Sequence, residues 1–352
     1  MTIIYTSYHM HRDKGDIART PELGTSMCGR GLSSKDIART PELGTSMCGR
    51  GLSSKDIART PELGTSMCGR GLSGDGLSSK DKVKIYNGKF RRYSKISSRD
   101  KVFAFDMDET LGCFSDLVAL WYVFPDCARN QKNFNALLDI YPEFLRYGIM
   151  TILEYLYHKK KQGLCSKLYL YTNNRFSPEI PIYIAKYFDY KLGIHTCNEN
   201  MSKTYLFDHV ICAFKIGNRV IETGRTSHQK LYSDFIRCTL LPKTTEICFV
   251  DDQYHRGMTH SKIYYIQPKE YQHSLPTDEL IQRACLFMPE IYNREQLERV
   301  YLNYKKEWVN NELNIQVSKK MMYHIKEFFY LSSITPKTCK SKTKVGRGTR
   351  RR

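Results

Sequence analysis

The sequence predicts an α/β domain built on a doubly wound, mainly parallel sheet, and three observations carry that reading. From Lys101 onward, short apolar runs rich in β-formers alternate with stretches of helical spacing. Several of those runs are apolar at consecutive positions, as strands covered by helices on both faces must be. Two of them close on aspartates, Asp106 and Asp251, and a third closes on Thr172-Asn173-Asn174. Ligands of open α/β sheets bind beyond the carboxyl ends of the strands, so these are candidate functional positions.

The strand candidates, in order, are Val102 to Met107, Leu168 to Thr172, His209 to Phe214, Glu246 to Val250 and Ile263 to Ile266. Between the first two, Ser115 to Tyr141 reads as helical. Pro142 to Lys161 follows, with Phe144, Leu145, Ile149, Ile152, Leu153 and Leu156 at helical spacing. Ser177 to Phe188 and His228 to Cys238 read as further helices, the former opening at prolines that a first turn tolerates. Past Pro289, Asn293 followed by Gln296 resembles a capping box, and Leu297, Val300, Tyr301, Tyr304 and Trp308 then mark one face. A second helix is expected over Val317 to Tyr330.

The ends of the chain have a different texture. The block DIARTPELGTSMCGRGLSSK occupies Asp16 to Lys35, recurs unchanged to Lys55 and begins again at Asp56, a period of 20 residues. Each unit has few large apolar residues and no aromatic one, too little to offset the entropy of ordering it. The expected organisation is therefore a disordered, repeat-bearing extension over 1–98, an α/β domain over 99–288, a helical extension packed on it over 289–335, and a basic tail over 336–352. Lys337 to Arg352 holds eight basic residues and no acidic one.

With 55 basic and 36 acidic residues the formal charge is +19, which favours phosphate-rich or acidic partners without naming one. None of the 12 cysteines lies in a C-x-x-C pair, and scattered thiols suit a reducing compartment. The longest apolar run is too short to cross a bilayer and the N-terminus lacks a signal-peptide core, so a cytoplasmic or nuclear protein is expected.

The strand ends define a chemistry. A carboxylate can attack phosphorus to give an acyl phosphate that water then opens, and Asp106, first off its strand, is placed to be that nucleophile. Asp108 can protonate the leaving oxygen and later deprotonate the water, while the Thr110 hydroxyl can hold the turn. Two unit negative charges at ~4 Å repel by roughly 4 kcal/mol at an effective dielectric near 20. A cation must intervene, and Mg²⁺ suits a site of few carboxylates plus phosphate and water. Asp251 and Asp252 would supply carboxylates and Asp106 would share the ion. Thr172, Asn173 and Asn174 can donate to phosphate oxygens without adding charge, and Lys230, at a helix start, is the compact cation wanted beside the transferring group. Singly, each feature has an ordinary explanation as a strand end, a turn or a solvated lysine; their order along the chain is what singles them out.

At this level the sequence resembles the haloacid dehalogenase superfamily, and within it the phosphatases related to the NLI-interacting factor and to the RNA polymerase II C-terminal-domain phosphatases. Asp106-Met-Asp-Glu-Thr-Leu111 is similar to that branch's first motif, and Arg146-Tyr-Gly148 with Tyr171-Thr-Asn-Asn174 to its Arg-Pro-Gly helix and second motif. Lys230 and Asp251-Asp252 match the third and fourth. The resemblance covers roughly residues 100 to 270. It implies a haloacid dehalogenase-like fold and a phosphoaspartate at Asp106 with acid/base work by Asp108. It further implies phosphate binding by Thr172 and Lys230, beside which Thr110 and Asn173 are candidate phosphate contacts, and Mg²⁺ held by Asp106, the main-chain carbonyl of Asp108, and Asp251 or Asp252. Substrates in that branch are commonly phosphoserine or phosphothreonine in proteins. Tyr147 stands where proline is usual, and the helical Ser115 to Tyr141 replaces a β-hairpin insert. Two other readings stay open: a phosphatase of nucleotides or polynucleotide ends, and a non-catalytic protein that contacts nucleic acid through its basic tail.

Overall fold

Strand β3 (Lys101–Phe105) is buried at every residue, which is why its sequence runs apolar without alternation. In the computed structural model, which describes residues 82–194, 205–301 and 309–334, β3 lies inside a six-stranded sheet. Its neighbours are β4 (Lys167–Tyr171) on one side and β8 (Glu246–Val250) on the other, both parallel to it. Beyond β4 lies β5 (His209–Ile211), and beyond β8 lies β9 (Ile263–Pro268), again parallel. The edge strand β1 (Val83–Asn87) runs antiparallel to β9, with Val83 opposite Pro268 and Asn87 opposite Tyr264. The spatial order β1-β9-β8-β3-β4-β5 means that the chain leaves β3 in one direction and returns to its other side. The carboxyl end of β3 is thus a topological switch point, where a crevice opens between diverging connections.

The parallel sheet of the expected α/β fold is present, with its extent changed at both ends. Residues Val83–Asn87 and Phe90–Arg92, within the span read as extension, are strands β1 and β2. Strand β2 pairs antiparallel with β10 (Leu331–Ser333), which follows the last described helix, and β6 (Lys215–Ile216) pairs antiparallel with β7 (Arg219–Val220) in a separate hairpin. Strand β2 is only three residues long, and both β1 and β2 are held by partners distant in sequence. The repeats, the basic tail, Tyr304 and Trp308 lie outside the described residues.

Alternate side chains of the central strands enter two clusters, as the strand period of two requires. Phe103, Phe105, Leu168, Leu170, Cys248 and Val250 join a large one with helices α1 (Ser115–Val123), α2 (Gln131–Asp139), α3 (Ile149–Lys161) and α4 (Glu179–Lys191). Helices α6 (Thr277–Phe287), α7 (Arg294–Tyr301) and α8 (Asn311–Phe328) join the same cluster. Val102, Ala104, Tyr169, Tyr171, Ile247 and Phe249 enter the second, to which, of the described α-helices, only α5 (Tyr232–Thr239) contributes, with Met258 of the single turn Arg256–Met258. The double winding is therefore lopsided. Helix α8 is no mere appendage: Phe328 meets Phe103 edge-on with ring centroids 5.3 Å apart, so the C-terminal extension completes the main core.

Several helix boundaries moved for local reasons. The expected helix over Pro142 to Lys161 is split into a single turn, Pro142–Phe144, and α3, because Gly148 adopts a left-handed φ of 71° at the α3 N-terminus. The helix expected from His228 begins at Tyr232, leaving Lys230 in the preceding loop. At α7 the predicted cap holds: Asn293 Oδ1 accepts from the Glu295 amide at 2.8 Å. Helix α8 starts earlier than expected, where Asn310 Oδ1 accepts from the Leu313 amide at 3.0 Å. No described helix is long and apolar enough to cross a membrane.

Candidate functional site

Asp106 is the first residue past β3, and its amide still makes the last ladder bond, to the Val250 carbonyl at 2.9 Å. The chain then reverses within a few residues. The Leu111 amide donates to Met107 O at 2.8 Å and the Glu109 amide to Gly112 O at 2.7 Å, with Glu109 itself at φ 56°. That left-handed conformation costs a non-glycine residue about 1–2 kcal/mol, which the surrounding bonds must offset. They do so largely through Arg146, a buried guanidinium whose Nε donates to Thr110 O at 2.6 Å and whose Nη2 donates to Glu109 O and, at 2.8 Å, to Lys269 O. The Tyr271 amide adds a further bond to Glu109 O at 2.9 Å. Arg146 thereby clamps the Asp106–Thr110 turn to the segment after β9.

The ends of β3, β4 and β8 meet in a cavity of about 450 Å³. Asp106, Asp108, Thr172, Asn173, Asn174, Lys230 and Asp251 all line it, so seven of the nine residues expected at the site are brought together there. Arg175, Phe176 and His255 also line it. The Lys230 ammonium donates to Asp106 Oδ1 and, at 2.6 Å, to Asp251 Oδ2. Asp108 is held separately, its Oδ2 accepting from Asn174 Nδ2 at 3.0 Å. The Thr172 hydroxyl accepts the Asn174 amide at 3.0 Å, which folds the end of β4 back toward the cavity.

Two expected residues sit behind the cavity wall. The Thr110 hydroxyl donates to Asp252 Oδ1 at 2.8 Å and accepts from the Asp252 amide at 2.9 Å. The expectation that Thr110 contacts phosphate is thus corrected: fully buried, its hydroxyl joins the turn after β3 to the turn after β8. Asp252 stands beside Asp106 and Asp251, and these three buried carboxylates offer oxygens all within 4.8 Å of one another, a group able to hold a metal ion. The carboxylate of Asp108 is not among them.

Burial governs the electrostatics. It raises the pKa of Asp106 well above the usual carboxylate range, against the pull of Lys230, with Asp251 and Asp108 adding repulsion. It lifts Asp108 to about 6, opposed by the Asn174 amide and Lys230, and lifts Glu109 to about 7 with Asp108 adding to the rise. Asp252 is raised by burial and by Asp251. Asp251 goes the other way: burial would raise it, but Lys230 and His255, whose Nε2 lies 3.2 Å from Oδ2, hold it low. For Lys230, burial is outweighed by its two carboxylate partners, so its pKa rises and it stays charged. Ionising this many buried carboxylates around one ammonium is costly, and a cation of oxygen preference would lower that cost.

Of the residues at the site, His255 and Arg225 are not marked by the sequence pattern. His255 lies four residues after Asp251, and nothing in the sequence marks it. Arg225 lies five residues before Lys230, but its position in the sequence does not show that it is buried. Comparison of the chain with protein-family models, with curated proteins and with solved structures yields no match.

Proposed function

We propose that this chain is a Mg²⁺-dependent phosphatase of the haloacid dehalogenase type that works through an aspartyl phosphate, with phosphoserine or phosphothreonine of a protein as substrate. The observation that carries the reading is the Lys230 ammonium shared between Asp106 and Asp251 at the switch point of the sheet, with Asp108 held apart by Asn174. A buried lysine so placed keeps one oxygen of a nucleophilic carboxylate oriented and offsets charge on an entering phosphoryl group.

In the first step an Asp106 carboxylate oxygen attacks phosphorus, the bond to the leaving oxygen breaks, and Asp108 gives that oxygen its proton. In the second, water attacks the same phosphorus, Asp108 takes the proton back, and inorganic phosphate leaves with Asp106 restored as carboxylate. Asp108 suits both directions because burial brings its pKa to about 6, close to neutrality. Thr172 and Asn173, at the end of β4, face the same cavity and supply hydroxyl and amide groups for the phosphate oxygens.

A divalent ion bound here would neutralise phosphate oxygens and polarise the phosphorus. Its protein ligands would be Asp106, Asp252 and the Asp108 carbonyl. Asp251 is the poorer candidate because its oxygens are already engaged, Oδ2 by Lys230 and His255 and Oδ1 by the Gln253 amide at 2.9 Å. All-oxygen donors favour Mg²⁺ over softer ions. The preference for a protein substrate rests on the cavity mouth, where Phe176 keeps 61% of its surface exposed, an apolar contact for a side chain flanking a phosphoresidue.

The full chain is expected to hydrolyse p-nitrophenyl phosphate with Mg²⁺, to lose that activity in EDTA and recover it on Mg²⁺ addition, and to fall to background as Asp106→Asn. Equal rates for wild type and Asp106→Asn would end the reading. Faster turnover of 3′- or 5′-phosphorylated oligonucleotides than of phosphopeptides would keep the mechanism and change the substrate.

A further inference from the structure

We infer that Arg225 is a positioning residue that sets the phosphate-binding side of the cavity, by locking the end of β4 and the Lys230 loop to one buried guanidinium. The inference rests on the phosphatase reading and extends it to a residue with no place in the four motifs. Arg225 is 2% exposed and lies outside the cavity lining, so it does not touch a bound phosphate.

Its bonds explain what it does instead. Nη1 donates to Thr172 O at 3.0 Å and to Cys212 O at 2.9 Å, tying the ends of β4 and β5 together. Nη2 donates to Asn173 Oδ1 at 2.6 Å and to the carbonyls of His228 and Gln229 at 3.1 and 3.3 Å. One planar cation therefore orients the Asn173 amide, fixes the carbonyl of Thr172, and holds the two residues immediately before Lys230. Because Nη2 engages Asn173 Oδ1, the amide nitrogen of Asn173 is turned away from Arg225 and remains the donor for a ligand.

The other end of the loop is fixed independently. The Asp234 carboxylate, buried at the start of α5, accepts the Thr226 amide at 2.9 Å and the Thr226 hydroxyl at 3.0 Å. The Leu231 amide donates to the Tyr171 hydroxyl at 3.3 Å, and the guanidinium of Arg225 lies 4.9 Å from the centroid of that same ring. Lys230 is thus presented from a loop closed on both sides, with Arg225 the member that also reaches the phosphate-binding amide. A lysine at 225 would keep the charge but not the fork that spans five acceptors.

The test uses the full chain, p-nitrophenyl phosphate and orthovanadate, at a temperature where circular dichroism shows each variant folded. Arg225→Lys is expected to lower kcat/KM and to weaken the vanadate inhibition constant, each by about 10- to 100-fold. The inhibition constant does not depend on how much of the enzyme is folded, so a merely structural role would leave it unchanged. Asn173→Ala should weaken vanadate by about 2- to 12-fold, the worth of one hydrogen bond. The Arg225→Lys/Asn173→Ala pair should lose less than the product of the single effects, because the two act as one unit. If Arg225→Lys fails to fold, Asn173→Asp, which keeps the acceptor and removes the amide donor, takes its place and should weaken vanadate at least as much as Asn173→Ala. Vanadate affinity in the position-225 or position-173 variants within about twofold of wild type, against an active wild type, overturns this inference alone. An inactive wild type overturns the phosphatase reading and this inference with it.

Discussion

At the scale of single residues, the site is a set of buried charges whose partners decide their roles. Asp106 and Asp108 are two residues apart, yet Lys230 engages only Asp106, while a neutral amide holds Asp108. That division suits one to attack and the other to exchange protons. Removing the Asp108 carboxyl as Asp108→Asn should lower kcat by about 10²- to 10⁴-fold, measured by single-turnover hydrolysis with Mg²⁺. Replacing Lys230 by methionine leaves Asp106 and Asp251 facing each other with no ammonium between them. Breaking a buried charge network of this kind costs about 3–5 kcal/mol, so the urea midpoint should fall together with activity. The glycine at 112 has a different constraint: a methyl group there would collide with the Phe144 carbonyl, which the Cys113 amide already uses at 2.8 Å. Gly112→Ala should shift the turn after Asp106 and lower both thermal midpoint and turnover.

At the scale of elements, the far end of the sheet is closed by a buried ion pair that sequence patterning does not announce. Lys101 opens β3 and Glu246 opens β8, and their side chains meet at 2.7 Å with both fully buried. Lys101 also donates to Leu331 O at 2.6 Å, and Glu246 Oε1 accepts the Ser333 amide at 2.6 Å, so the pair fastens β10 to the central strands. Burial alone would raise the pKa of Glu246, but Lys101 and the Ser333 donors overcome it and hold the value below its usual 4.5. A carboxylate depressed in the folded state contributes stability that is present above the unfolded pKa and is lost as pH falls through the folded one. Wild type should therefore lose stability progressively below about pH 4.5, the unfolded carboxylate range. Glu246→Gln should start less stable at pH 7 by about 3–5 kcal/mol and show a shallower acid slope in urea titrations at pH 7, 5 and 3.

At the scale of the whole molecule, the core is assembled from both flanks of the motif-bearing segment. Phe90 of β2 packs edge-on to Tyr264 and Phe328, and β1 covers the edge of β9. A chain beginning at Arg99 lacks β1, β2 and the Phe90 ring and should be less stable than full length by about 3–5 kcal/mol in urea titrations, or fail to fold.

The five central strands and the residues at their ends could be read from the sequence because that information is local. Buried parallel strands leave contiguous apolar runs, and a carboxylate pair immediately after such a run is visible without knowing what it faces. The edge strands β1, β2 and β10 could not be read, since their pairing depends on partners about 180 and 240 residues away. The Thr110 hydroxyl holds its turn, as the sequence suggests, but through Asp252 in a loop distant in sequence, a partner no local pattern shows. Arg225 carries no signal of its own and Arg146 is marked only through the likeness of Arg146-Tyr-Gly148 to an Arg-Pro-Gly helix, as a buried arginine resembles a surface one until the carbonyls around it are known. Local pattern alone yields the α/β alternation and marks Asp106, Asp108, Thr172, Lys230, Asp251 and Asp252 as candidates. Which of them share a cavity, and which buried guanidinium groups hold them there, emerges only from the folded chain, because hydrogen bonds between loops depend on chain crossings that no local pattern encodes.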